Sequence, residues 1–224
     1  MEYNSAPGPT CQVSLCIVYN QKCMSDQATR PYRKKQRARQ EAETRRRITE
    51  AVVDLHRTVG PAHTTVTEVA KRAGVGRMTV YNHFPTEADL IEACSTHWSS
   101  RNPLPDPTEW AEIEDVDERL ARGLRELYAW YADTEDMMGK VLRDAPIVPP
   151  LGDLMEERWW ALVDQMGAIL LQDRGLKGQQ RKRALAALRV ALDFSTWRTL
   201  TAEGLSHSAA ACLAARFVIS ALDS

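Results

Sequence analysis

Apolar residues recur at intervals of three and four positions through most of the chain, as expected for helices that each bury one face. The first stripe comprises Ile48, Val52, Leu55 and Val59. Further stripes run through residues 86–100, 120–131, 137–142, 151–166, 179–203 and 206–222. No segment shows the alternation of apolar and polar positions, bounded by turn pairs, that is typical of strands. The pattern predicts an all-α protein.

Residues 64–84 contain the signals of two helices joined by a tight turn. Thr65 and Glu68 have the spacing of a capping box, in which each side chain satisfies a backbone N–H group at the helix start. The apolar stripe of this helix comprises Val66, Val69, Ala70 and Ala73. Gly74 and Gly76 then permit positive φ, so that the chain can turn sharply before the next helix. These signals predict a helix-turn-helix.

The second helix of this motif is short and carries polar side chains around a predicted buried pair, Val80 and Phe84. Its remaining residues are Arg77, Met78, Thr79, Tyr81, Asn82 and His83. Guanidinium, amide, phenol and imidazole groups suit base edges and phosphate oxygens, and methionine suits a thymine methyl group. We therefore interpret this helix as the recognition helix of a DNA-binding domain. The alternative is that these residues form the solvated face of a small surface helix.

Charge is unevenly distributed, although the formal net charge is only −1. Residues 30–85 contain 13 Lys and Arg against 5 Asp and Glu, and the rest of the chain contains 16 against 25. Nine of the basic residues lie between Arg30 and Arg47. Such a run suits a phosphate backbone, and a plain solvated arm is the alternative. We expect residues 1–40 to be a disordered, basic N-terminal arm.

Two folded domains are expected after the arm. Residues 41–85 form the predicted three-helix, helix-turn-helix DNA-binding domain. Residues 86–224 form the predicted larger helical domain, whose first helix is capped by Thr86. With 224 residues, of which 44% are hydrophobic, the chain can bury a core in each domain. Three prolines between residues 101 and 110 interrupt the helical pattern and mark the join to the main body of the larger domain.

The last two predicted helices, at residues 179–203 and 206–222, form a candidate dimer interface. Arg216 is the only charged residue between Ser206 and Ala221, so the last helix needs cover on more than one side. The same helix pair from a second subunit supplies such cover. The sequence therefore predicts a homodimer through a four-helix interface, with burial inside one subunit as the alternative.

Eight large aromatic and methionine residues on the central helices are candidates for the lining of a ligand pocket. They are Trp98, Trp130, Tyr131, Met138, Met155, Trp159, Trp160 and Trp197. Such a lining favours a flat or hydrophobic molecule, and the alternative is that these residues are ordinary core. The acidic residues Asp133, Glu135, Asp136, Asp153, Glu156 and Glu157 either attract a cationic effector or are surface charges.

Other classes of protein are disfavoured by what the sequence lacks. There is no GxSxG, HExxH or phosphate-binding glycine loop, and the five histidines do not cluster with carboxylates, so we expect no enzyme, no cofactor and no metal site. No apolar run approaches the roughly 18 residues of a membrane span, and residues 11–18 lack the flanks of a signal peptide, which predicts a cytoplasmic protein.

The five cysteines show no CxxC pair, so we expect reduced thiols, with a redox switch as the alternative. Cys94 and Cys212 lie in apolar helical contexts and are expected in the core.

At this point the chain resembles the TetR family of bacterial transcriptional regulators, over about residues 40–224. The specific part of the resemblance is the segment TTVTEVAKRAGVGRMTVYNHFPTEADL, and the helical body is the weaker part. The resemblance implies a regulator, in most cases a repressor, that binds a palindromic operator in double-stranded DNA as a homodimer and is released by a small-molecule effector. The alternative is an activator, or an architectural DNA-binding protein without an effector. A cavity of roughly 300 Å³ or more in the larger domain would argue against the architectural protein.

The resemblance also implies residue roles. Thr79, Tyr81 and His83 contact phosphate or nearby sugar; Gly76, Arg77, Met78 and Asn82 face bases; Thr65 and Thr67 lie near the DNA backbone. One position departs from the family pattern. Family members commonly have a phosphate-binding lysine near the start of the fourth helix, where this chain has Glu87.

Overall fold

The computed structural model describes residues 13–222, with side chains described from residue 32 onward. Eleven α-helices occur in this part of the chain, and no strand does, so the all-α prediction is confirmed. They are α1 (Val13–Thr58), α2 (Val66–Ala73), α3 (Arg77–His83), α4 (Glu87–Ser99), α5 (Pro107–Ala111), α6 (Val116–Asp144), α7 (Pro149–Leu154), α8 (Ala161–Leu170), α9 (Gly178–Leu192), α10 (Phe194–Ala202) and α11 (His207–Leu222). A 3₁₀ turn, Pro61–His63, precedes α2, and a π-helical turn, Met155–Trp160, joins α7 to α8. No helix of the described residues has the length and apolar character needed to cross a membrane.

The described residues divide into two units, residues 13–47 and residues 48–222. In the first unit the structure differs from the expectation of a disordered arm over residues 1–40, because α1 begins at Val13. Residues 1–12 lie outside the described residues. From residue 32 to residue 47 the side chains are mostly Arg, Lys, Gln, Glu and Ala, which are strong helix formers. An ion pair between Arg46 and Glu43, with Nη2 and Oε1 2.7 Å apart, adds local support.

The second unit begins with the core of the predicted DNA-binding domain. Ile48, Val52 and Leu55 of α1 are buried, as the stripe predicts. They pack in one cluster with apolar residues of α2, α3 and α4, which include Val69, Ala70, Val80, Phe84 and Leu90. Val59, the fourth member of the predicted stripe, is 43% exposed because α1 ends one residue before it. The C-terminal part of α1 therefore shares a small core with α2, α3 and α4.

The larger core surrounds α6. Its buried face, which includes Leu120, Leu124, Leu127 and Tyr128, belongs to one cluster with buried residues of α8, α9 and α11. Alanines at positions 184, 187 and 191 of α9 and at 210, 211, 214 and 215 of α11 are buried in the same cluster. Small side chains let these helices approach closely.

The predicted helix over residues 179–203 is two helices in the structure. The break falls at Asp193, whose carboxylate accepts a hydrogen bond of 2.7 Å from the backbone N–H of Ser195 and so caps α10. Asp193 therefore caps the start of a new helix, although the apolar pattern around it predicted one continuous helix.

Both α9 and α11 keep large apolar side chains at the surface. Val190 is 50% exposed, Leu213 48% and Phe217 51%. Cys212 is also exposed, so its predicted place in the core is wrong; it lies on the outer face of α11, opposite the buried alanines. Cys94, by contrast, is buried, and burial raises the pKa of its thiol to about 12.

Candidate DNA-binding surface and ligand cavity

The first helix of the helix-turn-helix begins with the predicted capping box. The Thr65 hydroxyl accepts a hydrogen bond of 3.2 Å from the backbone N–H of Glu68, and the Glu68 carboxylate accepts one of 3.3 Å from the backbone N–H of Thr65. The carboxylate also accepts a 2.8 Å hydrogen bond from the Thr65 hydroxyl. Thr65 and Thr67 are both exposed at this helix start, where the free backbone N–H groups and the helix dipole favour an anion.

The turn after α2 depends on one glycine rather than two. Gly74 has φ of 65°, in the left-handed region, and ends α2 as predicted. Gly76 has φ of −77°, which any residue adopts, and lies directly before α3. A Cβ atom on Gly76 would have only the Thr79 hydroxyl within reach, at 3.8 Å. The fold itself therefore does not require glycine at position 76.

The predicted recognition helix, α3, packs its inner side in the core and exposes its outer side. Val80 and Phe84 are 0% and 1% exposed, which confirms the predicted buried pair. The outward set is assembled on one short helix: Arg77, Met78, Tyr81 and Asn82 are exposed, and Thr79 and His83 are half-buried. A guanidinium, an amide and a phenol thus share one convex surface that is small enough for a major groove.

The start of α4 borders the same surface and is acidic. Thr86 and Asp89 form a second capping box, with hydrogen bonds of 3.1 Å from the Asp89 backbone N–H and 2.9 Å from the Thr86 backbone N–H. Glu87 lies exposed in the first turn of α4. A carboxylate there repels a phosphate that approaches this helix start.

The end of α6 is tied to the chain segment that leads into the helix-turn-helix. Asp144 is 1% exposed and accepts a hydrogen bond of 3.0 Å from the backbone N–H of Ala62. Hydrogen bonding from Arg143, at 2.6 Å, is the main reason that the pKa of Asp144 is lowered. Gly60 has φ of 98°, and a Cβ atom there would collide with the side chains of Arg143 and Asp144. This close approach fixes the C-terminus of α6 against the DNA-binding domain.

A cavity of about 350 Å³ opens beside α4, α6, α7 and the π-helical turn. Five of the eight pocket candidates line it: Trp98, Trp130, Met138, Met155 and Trp159. The rings of Trp130 and Trp159 are stacked with their centroids 5.8 Å apart, and Trp98 meets Trp130 edge-on at the same distance. The sequence pattern therefore identified most of the aromatic residues that line the cavity.

Three pocket candidates lie elsewhere. Tyr131 and Trp197 are fully buried in the main core, where the Tyr131 hydroxyl donates to the Leu192 carbonyl at 2.6 Å and the Trp197 indole donates to His207 at 3.1 Å. Trp160 is 42% exposed on the outside of the π-helical turn. Tyr131 and Trp160 each follow a lining residue in the sequence but lie on another face of the helix, and Trp197 packs against Tyr131 and Phe194 in the core.

The acidic residues proposed to attract a cation do not line this cavity. Asp133, Glu135 and Asp136 border a separate polar cleft of α6, and Asp153, Glu156 and Glu157 are exposed. These residues therefore offer a cationic effector no counter-charge inside the cavity. All six are exposed, as the alternative of ordinary surface charges expects.

Sequence reasoning missed two lining residues of particular interest. His56 belongs to α1 and reaches the cavity from the DNA-binding domain; burial lowers its pKa to about 4, and the Cys94 sulfur lies 3.4 Å from its Nδ1 atom. Arg158 lines the cavity from the π-helical turn. No local pattern marked either residue, because His56 lies on the same helix as the domain core and Arg158 stands in an acidic stretch.

An all-α chain that exposes a short polar helix after a tight turn, and that has a second helical core with a cavity beside it, has the architecture of a helix-turn-helix protein with a larger helical domain. Residues 48–94 match the family model described as "Bacterial regulatory proteins, tetR family". The helix-turn-helix segment of this chain is therefore similar to the DNA-binding segment of the TetR family of regulators.

Solved structures of that family have a similar fold. A protein of Mesorhizobium loti assigned to the TetR family shares 21% identity over 82% of this chain and 96% of its own, with a TM-score of 0.59. A TetR-like regulator from Rhodococcus sp. shares 16% identity over 81% of this chain and 96% of its own, with a TM-score of 0.58. A TetR-family regulator from Streptomyces coelicolor shares 18% identity over 80% of this chain and 79% of its own, with a TM-score of 0.53. Comparison with curated proteins found no significant match.

Proposed function

We propose that this protein is a repressor that binds a palindromic operator as a homodimer in the bacterial cytoplasm and leaves it when a small molecule occupies the cavity. The observation that carries the proposal is the outer face of α3. Arg77 and Asn82 are exposed there above a buried Val80, so the helix can enter a groove without losing its core.

The surfaces of α9 and α11 support the homodimer. Each helix packs one face in the main core and leaves large apolar side chains, such as Val190, Leu213 and Phe217, outside it. Burial of such residues against the same face of a second copy removes them from water. Two recognition helices related by a two-fold axis read a palindrome whose half-sites are about 34 Å apart or a multiple of that distance.

The cavity favours a regulator with a small-molecule effector over an architectural DNA-binding protein. Its volume of about 350 Å³ is large enough for a small molecule, and aromatic and methionine side chains form much of its wall. Its wall also includes His56 of α1 and Ile91 and Cys94 of α4. A molecule that prefers one arrangement of these helices shifts the protein toward that arrangement, and operator affinity changes by the ratio of its two affinities.

Selection of genomic DNA fragments with the purified protein tests this function. We expect enrichment of one palindromic site, protection of two half-sites in successive major grooves, and overlap of the site with a promoter. A site upstream of the promoter that raises transcription would make the protein an activator with the same contacts. A monomeric protein with no preference for any duplex over bulk competitor DNA would contradict the proposal.

A further inference from the structure

The cavity beside α4 and α6 is nearly free of charge. Of the described side chains that line it, Arg158 is the only one that carries a permanent charge, and no Asp or Glu is among them. His56 is neutral at physiological pH because burial lowers its pKa to about 4. A cationic molecule would therefore find no counter-charge in the cavity and would meet the guanidinium instead.

Arg158 already forms an ion pair with a carboxylate, that of Glu92, which another anion can replace. Its Nη1 atom lies 3.0 Å from Oε1 of Glu92, a residue of α4 that does not line the cavity. The two side chains are 50% and 48% exposed. An ion pair at that exposure contributes little to stability, so a second anion can displace Glu92 at small cost.

We propose that the cavity binds an apolar molecule with a single anionic group, and that this group displaces Glu92 from Arg158. The apolar body replaces water against the tryptophan and methionine wall, and the guanidinium fork suits a carboxylate, sulfonate or phosphate. Because Glu92 belongs to α4, the exchange also removes one tie between α4 and the π-helical turn. This inference rests on the proposed function in taking the cavity as the effector site.

Two fluorescent probes with the same aromatic skeleton test the inference. 1-Anilinonaphthalene-8-sulfonate carries one sulfonate, and N-phenyl-1-naphthylamine lacks it. Both are titrated into the full-length protein and into three variants, R158Q, E92Q and R174Q. Arg174 is the matched control, since its Nη2 atom pairs with Asp117 at 2.8 Å between distant parts of the chain and it does not line the cavity.

We expect R158Q to weaken sulfonate binding about tenfold, the loss of one charge-assisted hydrogen-bonded contact, and to leave the neutral probe within about twofold. E92Q should tighten sulfonate binding by about threefold, because the competing carboxylate is gone, and should not affect the neutral probe. R174Q should change neither affinity. Displacement of the sulfonate by 1-naphthoate or by decanoate then distinguishes an aromatic acid from a fatty acid as the natural source of the anion.

Equal loss of both probes in R158Q, or no loss of either, would overturn the inference. Unchanged or weaker sulfonate binding in E92Q would do the same, and this variant decides the matter if R158Q fails to fold. Failure of the proposed function has a different signature. In that case the probes follow the expected pattern in the free protein, while saturating sulfonate leaves the protein on its selected DNA site.

Discussion

Arg77 and Tyr81 are both exposed on α3, but we expect them to contact different parts of DNA, Arg77 the bases and Tyr81 the phosphates. A guanidinium in the groove reads base edges, so Arg77→Ala should cost about 1 to 3 kcal/mol and relax discrimination at one symmetric pair of positions.

A phenol that holds phosphate carries no sequence information, so Tyr81→Phe should weaken binding to all sequences alike. Titration against the operator and its single-base variants checks both. A loss confined to one base position in Tyr81→Phe, or an unchanged base preference in Arg77→Ala, would reverse the assignment.

Glu87 is expected to weaken DNA binding in the natural protein. It stands exposed in the first turn of α4, beside the predicted recognition surface. Glu87→Gln should raise operator affinity because a repulsion is removed, and Glu87→Lys should raise it further and steepen the dependence of log K on log salt by about one. The exposed Glu114 of the larger domain provides the control, and Glu114→Gln should leave affinity and slope unchanged. Unchanged affinity and salt dependence in Glu87→Lys would show that no phosphate approaches this helix start.

At the scale of elements, the two turn glycines have different reasons to be present. Gly74 has φ of 65°, so Gly74→Ala should destabilise the protein by about 1 to 2 kcal/mol, the cost of a left-handed alanine. Gly76 has φ of −77° and open space at its Cβ position, so Gly76→Ala should leave the free energy of unfolding nearly unchanged. Urea unfolding measures both. Equal destabilisation by the two substitutions would show that the turn needs both glycines.

The N-terminal part of α1 is the second element with a testable role. Its described residues from 32 to 47 are almost all exposed and strongly basic. If they neutralise phosphates, deletion of residues 1–40 should flatten the salt dependence of DNA binding by about one unit of slope for each lost contact. An unaltered slope in the truncated protein would show that this segment takes no part in binding.

Helix existence was predictable along this chain, and helix boundaries were less so. The caps at Thr65 and Thr86 lie within three residues of their partners, so both could be found by inspection. The break at Asp193 was missed because the apolar stripe continues on both sides of it. The helical N-terminal part of α1 was missed because the prolines and the lack of periodicity near the N-terminus suggested disorder, although the Arg, Lys, Gln, Glu and Ala side chains at residues 32–47 favour helix.

For the whole molecule, the exposed apolar faces of α9 and α11 lead to a prediction about assembly. A charge in the centre of a dimer interface is costly to bury, so Phe217→Glu combined with Leu213→Glu should produce a monomer. The monomer should also lose its preference for a palindrome. Ile147 is a suitable control, since it is 68% exposed on the loop after α6, and Ile147→Glu should leave the dimer intact. Light scattering after gel filtration measures the mass; an intact dimer in the double variant would place the interface elsewhere.

The sequence by itself determined the helical class, the helix-turn-helix with its caps, and the outward residues of α3. These features depend on periodicity and on contacts between residues a few positions apart, and both are visible in the sequence alone. Only the tertiary structure decided which aromatic residues line the cavity. It buried Tyr131 and Trp197 in the core, turned Trp160 outward, and brought His56 and Arg158 into the wall. The physical reason is that the residues of the cavity wall are far apart in the sequence, since they come from α1, α4, α6 and the π-helical turn. Which face of each helix lines the cavity depends on how these helices pack against one another.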